Sequence, residues 1–171
     1  VVFAGTMAYQ ARRIASERDR AQAEADKSAA INQFLQQTLE SADPNAGGER
    51  DVTILEAVDR SAARIQKDFA AQPIVEASVR ETLGATYLNL GKYEKAEEFL
   101  RRAVDLRIEH LGKNHADTAT AWGQLSRLYH LVGRYDDAIQ TALSGIEAQR
   151  IALGPKHYRL GERLNDLGFA Y

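Results

Sequence analysis

Histidine is the residue type in this chain whose spacing could most readily support chemistry. His115 and His157 lie 42 residues apart, each three positions after a glycine, and two imidazoles could bind a metal ion or respond to pH. The alternative is that each histidine caps or packs against its own turn, because a metal site needs three or four converging ligands. No such cluster includes His110 or His130, and the chain has no cysteine. We therefore expect no metal and no cofactor in this segment.

The motifs of nucleotide-dependent catalysis are missing from the sequence. It contains no Gly-x-Gly-x-x-Gly and no Gly-x-x-x-x-Gly-Lys phosphate loop. The His-Arg-Asp and Asp-Phe-Gly triplets of protein kinases are missing as well. Carboxylates alternate with Lys and Arg, a pattern typical of solvated helix faces rather than of an acid–base pair. We predict that the segment itself has no catalytic residues.

The overall composition favours a folded segment that does not bind nucleic acid. Hydrophobic residues make up 44% of the 171 residues and charged residues 27%, which is enough to build an apolar core. Lys and Arg number 22 against 24 Asp and Glu, a formal charge of -2. A nucleic-acid surface would show a basic excess or a basic stripe. We therefore expect no nucleic-acid partner.

Two segments precede the regular part of the chain. Residues 1–9 are uncharged and are followed by Arg12 and Arg13. A membrane span needs about 20 apolar residues, so residues 1–9 alone could not cross a bilayer. They are interpreted as the end of a severed transmembrane helix. The start of a soluble helix and a signal-peptide remnant are the alternatives. Residues 10–42 predict a polar linker helix whose sparse seven-residue spacing would permit self-association.

A docking helix is expected within residues 52–72. The stretch Asp43-Pro44-Asn45-Ala46-Gly47-Gly48 predicts a loop. Thr53 and Glu56 have the spacing of a capping box, which predicts a helix start. Pro73 is well placed to begin the next helix.

From residue 73 onward the sequence repeats with a period of 42. Leucine recurs at 83, 125 and 167, a small residue at 84, 126 and 168, and tyrosine at 87, 129 and 171. Periods of 20–50 residues indicate stacked supersecondary units. Residues 73–171 are therefore predicted to form two full units, each a pair of antiparallel helices, and a truncated third. Leu164, Leu167 and Tyr171 would await a partner helix, so we expect the chain to continue. The predicted helices are Ile74–Leu90, Tyr93–Leu111, Ala116–Val132 and Tyr135–Leu153.

The stretch Trp122-x-x-Leu125-Ser126-x-x-Tyr129, followed by Gly133-x-Tyr135-x-x-Ala138, resembles the tetratricopeptide repeat signature. The Leu-Gly-x-x-His loop and the long period are similar to the kinesin light chain variety, although the usual Pro after that His is replaced by Ala116 and Tyr158. This resemblance implies an all-α fold. It would be a right-handed superhelix of helical hairpins preceded by a long N-terminal helix.

The residues ahead of the repeats resemble a second family context. Phe34-Leu35, the stretch 41–44, Gly47-Gly48 and the stretch 51–53 are similar to the region after the transmembrane helix of bacterial serine/threonine protein kinases with C-terminal tetratricopeptide repeats. That resemblance implies an ATP-dependent kinase domain upstream of Val1 and extracytoplasmic repeats with a sensing or peptide-binding role. The alternative is a cytoplasmic kinesin-light-chain-like adaptor domain with no enzymatic activity.

The tetratricopeptide resemblance also implies where a partner would bind. The first helix of each unit would line a concave face, and its mixed polar side chains suit an extended peptide. Glu81 and Ala85 occupy the places of the Lys and Asn that grip a C-terminal carboxylate in some family members, so that mode is not expected. Ordinary solvated surface is the alternative for each position. The candidates are Glu81, Thr82, Ala85 and Asn89 in the first unit, Thr120, Gln124, Arg127 and Leu131 in the second, and Asn165 and Asp166 in the third.

Overall fold

A computed structural model of the chain describes residues 2–40 and 53–154. Helices account for nearly all of these residues, and the described part contains no strand. The all-α class predicted from the sequence is therefore confirmed. The helices are α1 (Val2–Glu40), α2 (Ile54–Asp68), α3 (Pro73–Asn89), α4 (Tyr93–Leu111), α5 (Ala116–Leu131) and α6 (Tyr135–Leu153).

The 42-residue period is realised as two antiparallel hairpins, α3–α4 and α5–α6. Both second helices begin at a tyrosine, and both end at a glycine with positive φ, 89° at Gly112 and 87° at Gly154. A residue with a side chain would be strained in this conformation. The helix boundaries lie within a residue or two of the predicted ones, because turn glycines and Pro73 set them locally.

Close packing within the first hairpin depends on Gly84. A Cβ atom at this position would lie 2.7 Å from Cγ of Leu100, a distance at which the Leu100 side chain or the helices would have to shift. Ala96 on α4 is fully buried and supplies the matching small residue. Gly84 and Ala96 are therefore the small residues at the contact between the two helices.

The end of α1 and α2 form a further hairpin in the same register. The hydroxyls of Thr38 and Ser61 share a hydrogen bond of 2.8 Å, and the rings of Phe34 and Phe69 meet edge to face at 5.8 Å. Moving Thr38 and Ser61 forward by 42 residues places them on α3 and α4. The sequence does not reveal this unit because positions 41, 42 and 45 hold Ser, Ala and Asn where the repeats have Leu, Gly or Ser, and Tyr.

Local hydrogen bonds fix the start of α2. Thr53 Oγ1 accepts from the amide of Glu56 at 3.2 Å, and the Glu56 carboxylate accepts from the Thr53 amide at 2.8 Å. The hydrogen bond from the Thr53 backbone also lowers the pKa of Glu56. This is the predicted capping box.

The middle part of α1 is exposed to solvent. The side chains described between Gln10 and Asp26 are exposed, and local pairs such as Arg13–Glu17 (3.1 Å) lie on this stretch. Within the described part of the chain, no helix combines the length and apolar composition that a membrane crossing requires. The severed-span interpretation of residues 1–9 stays a prediction.

Candidate functional site

Glu81, a predicted partner-binding residue of the first hairpin, has a partner within the fold. Its carboxylate lies 2.6 Å from Nη2 of Arg107 on α4, and the two side chains are only 17% and 7% exposed. Arg107 Nη1 also donates to the backbone carbonyl of Asp117 on α5 at 3.1 Å. The pair therefore joins three helices, and the Glu81 charge is largely neutralised from inside.

The other candidates of the first hairpin offer hydroxyl, methyl and amide groups. Thr82 is half-buried, and its Oγ1 donates to the Ser78 carbonyl at 3.0 Å, which leaves the hydroxyl oxygen free to accept. Ala85 is half-buried and Asn89 is exposed. The first hairpin thus presents no unpaired charge at its predicted positions.

The predicted binding residues of the second hairpin include more exposed side chains that make fewer interactions within the fold. Thr120 donates to the Ala116 carbonyl at 3.2 Å, and Gln124 is half-buried. Arg127 is exposed, and no ion pair or hydrogen bond joins its side chain to another described residue. Leu131, one turn further along α5, is 54% exposed. Contact of these residues with a partner stays a prediction, and Asn165 and Asp166 lie outside the described residues.

The junction between α2 and the first regular hairpin contains a polar cluster that sequence reasoning missed. Tyr87 is buried, but its hydroxyl donates to Oδ1 of Asp59 at 2.7 Å. Lys95 Nζ donates to the same oxygen at 2.6 Å. Hydrogen bonds from Lys95 and Tyr87 lower the pKa of Asp59. Burial, together with the Asp59 carboxylate, raises the pKa of Tyr87.

An equivalent cluster joins α4 to α5. The Tyr129 hydroxyl donates to Oε1 of Glu97 at 3.0 Å, and Arg134 Nη1 donates to both Glu97 oxygens at 2.9 and 2.8 Å. Arg101 Nε adds a third donor at 2.9 Å. Burial opposes the charge of Glu97, but the hydrogen bonds from Arg134, Tyr129 and Arg101 prevail and lower its pKa. The recurrence of tyrosine every 42 residues was the available signal for these clusters.

His115 serves as the N-cap of α5. Its Nδ1 accepts a hydrogen bond from the Asp117 amide at 3.1 Å, which agrees with the turn-capping alternative. His157 lies outside the described residues. Among residues 2–40 and 53–154, no three His, Asp or Glu side chains converge where they could hold a metal ion.

Comparison with known proteins agrees with this architecture. Residues 75–150 match the family model of the tetratricopeptide repeat. A curated relative, Protein KINESIN LIGHT CHAIN-RELATED 2 of Arabidopsis thaliana, is 33% identical over 90 residues. The aligned part is 52% of this chain but only 14% of the relative. The hairpins with a 42-residue period thus match the tetratricopeptide repeat model, and part of the chain is similar to part of a kinesin-light-chain-related protein.

Proposed function

We propose that the hairpins α3–α4 and α5–α6 bind a peptide segment of a partner protein and that the region acts as a non-catalytic adaptor. Tetratricopeptide repeats are protein-interaction modules, and stacked hairpins offer an extended surface to a ligand. The observation that carries the proposal is a pair of exposed side chains on α5, one charged and one apolar. Arg127 is exposed and unpaired within the described residues, and Leu131 lies one turn away with 54% of its surface exposed.

These two side chains suggest the chemistry of the contact. An unpaired guanidinium binds a carboxylate through charge-assisted hydrogen bonds, while an exposed leucine gains from burial against an apolar side chain. The α3 surface would contribute through Asn89 and the hydroxyl of Thr82 rather than through Glu81, whose charge Arg107 already neutralises. The partner segment would therefore place an acidic and an apolar side chain on α5.

The similarity to a kinesin-light-chain-related protein supports the adaptor role. On this proposal the region has no enzymatic activity, requires no cofactor and operates in the cytoplasm. Its contribution would be to hold a partner in place.

A second proposal places the same repeats in a membrane-anchored serine/threonine kinase, outside the cytoplasm, as a sensing region. The uncharged residues 1–9 before Arg12 and Arg13 are its sequence support. The sequence upstream of Val1 separates the two proposals. An apolar stretch of about 20 residues preceded by kinase motifs would favour the kinase, whereas a Met shortly before Val1 without such a stretch would contradict it.

The binding proposal is tested by selecting ligands from a random peptide library displayed on phage against residues 1–171. Enriched peptides are then measured by fluorescence anisotropy. We expect Arg127→Ala to weaken the best peptide about tenfold, the loss of one charge-assisted contact. Arg102→Ala is the matched control, since Arg102 is equally exposed but lies on α4. Failure to enrich any peptide, or equal affinity for both variants and the parent, would overturn the proposal.

A further inference from the structure

A cleft opens between α1 and α2, away from the two regular hairpins. Its volume is about 430 Å³, within the range of small-molecule sites. Phe34 and Phe69 form its apolar base, with their rings packed edge to face at 5.8 Å. Both rings are almost fully buried, so the base of the cleft is fixed by the core of this hairpin.

Polar side chains without partners line the rest of the cleft. Each of them lacks a side-chain hydrogen bond or ion pair to any other described residue. Arg64 and Asp68 lie one turn apart on α2, yet no ion pair joins them within the described structure. The polar lining consists of Gln33, Gln37, Arg64, Asp68 and Gln72.

The hairpin fold itself does not require these polar residues. The positions 42 residues after Gln37 and Arg64 are Val79 and Leu106, which are 1% and 3% exposed. The equivalent of Gln33 is Val75, also apolar. The regular hairpin thus fills with aliphatic side chains the positions that the α1–α2 hairpin lines with amide and guanidinium groups.

We propose that this cleft binds a free α-amino acid with an apolar side chain. Residues one turn apart on a helix have Cβ atoms about 5–6 Å apart, so Arg64 and Asp68 can reach the carboxylate and the ammonium of one ligand. Charge-assisted hydrogen bonds to these two groups orient the molecule. Its side chain then faces the small exposed part of Phe34 and Phe69 at the base of the cleft, and the glutamine amides satisfy the remaining donors and acceptors.

This site is independent of the proposed peptide surface on α3 and α5. A solvated polar face at the end of the stacked hairpins is the competing explanation, because terminal repeats commonly present polar outer surfaces. A solvated face would show no saturable binding and no preference for a zwitterion.

The test is a titration of ¹⁵N-labelled protein, residues 1–171, with L-leucine, L-methionine and L-phenylalanine. We expect saturable shifts of the amide signals of residues 30–37 and 64–72 for at least one of them. N-acetyl-leucine lacks the ammonium and leucinamide lacks the carboxylate, and each should bind at least tenfold more weakly, about 1.4 kcal/mol or more. Absence of saturable shifts up to about 10 mM ligand, a range that includes weak millimolar binding, would overturn the proposal.

Two variants test which charged side chain binds the carboxylate of the ligand and which binds its ammonium group. Arg64→Gln should remove the preference for the amino acid over leucinamide, and Asp68→Asn should remove the preference over N-acetyl-leucine. Lys67→Gln is the matched control, because Lys67 is exposed on the same helix but does not line the cleft. Because all three positions are exposed, the variants should fold, which circular dichroism verifies. Unchanged preferences in both cleft variants would also overturn the proposal.

Discussion

The two inter-hairpin junctions contain equivalent tyrosines, Tyr87 and Tyr129, which bind different partners. At the α2–α3 junction, one oxygen of Asp59 accepts from both Tyr87 and Lys95. At the α4–α5 junction, Glu97 uses both oxygens and accepts from Tyr129, Arg101 and Arg134. Arg134 also lies over the Tyr129 ring at 4.3 Å, whereas Lys95 lies 5.4 Å from the Tyr87 ring. The second junction therefore has more charge-assisted contacts around an equally buried ring.

The positions of the carboxylates explain how equivalent tyrosines can bind different acceptors. Moving Glu97 back by 42 residues leads to Leu55, while Asp59 lies one turn further along α2, at the position of Arg101. A carboxylate on either of two successive turns can therefore reach the tyrosine hydroxyl of the next hairpin. The tyrosine ring therefore recurs at each junction, and the carboxylate that accepts from its hydroxyl comes from the neighbouring hairpin.

The largest expected effect is the loss of either ring. Tyr87→Ala and Tyr129→Ala should each lower the free energy of unfolding by about 3–5 kcal/mol, since each removes a large buried aromatic side chain. The similar burial of the rings, 1% and 3% exposed, predicts similar losses. Urea titration followed by circular dichroism measures both. A loss confined to one junction would show that the two rings are not equivalent.

The second prediction concerns moving the carboxylate of the second junction by one helical turn. Glu97→Leu should destabilise the protein by about 2 kcal/mol, because it leaves the Tyr129 hydroxyl without its acceptor, while Arg134 keeps only its ion pair with Asp137. Adding Arg101→Asp places a leucine and a carboxylate one turn apart, as in the first junction, with Arg134 rather than a lysine as the nearby cation. We expect the double variant to recover about 1 kcal/mol, the worth of one hydrogen bond. A double variant less stable than Glu97→Leu would contradict the interchangeability of the two turns.

Removing the hydroxyl alone should have a smaller effect. Tyr87→Phe and Tyr129→Phe retain the rings and remove one hydrogen bond each, so we expect losses of about 1 kcal/mol. Tyr129→Phe should cost less than Tyr87→Phe, because Glu97 keeps two arginine donors while Asp59 keeps only Lys95. Equilibrium unfolding of the two variants side by side checks this order.

The smallest expected effect is a change in acid sensitivity. The pKa values of Asp59 and Glu97 are lowered in the folded protein, so their contribution to stability is present above their unfolded pKa values, about 3.9 and 4.3. It is lost as the pH falls through the folded values. Asp59→Asn and Glu97→Gln should each flatten the decline of the melting temperature below about pH 4.3. A decline identical to that of the parent would show that other groups govern it.

The regular hairpins could be predicted from the sequence because local features determine them. Gly91, Gly112, Gly133 and Pro73 set the helix ends, and Gly84 marks the close contact with Leu100. The all-α fold and the tetratricopeptide region were recognised for the same reason. The predicted kinase context and membrane anchor depend on short motifs and stay predictions.

The candidate site could be predicted only in part. Arg127 and Leu131 lie on α5 with exposed side chains, and their contact with a partner stays a prediction. The helical period did not reveal that Glu81 is paired with Arg107, a residue 26 positions later on another helix. It also did not reveal the cleft at Arg64 and Asp68, whose walls come from both α1 and α2.

By itself, the sequence determined which residues form helices, where those helices end and that the hairpins recur every 42 residues. These properties depend on backbone preferences and on spacings of a few residues. Only the tertiary structure decided which carboxylate each tyrosine binds and that α1 joins α2 as a hairpin in the same register. These partners lie on separate helices, so their distances are fixed only when the helices pack.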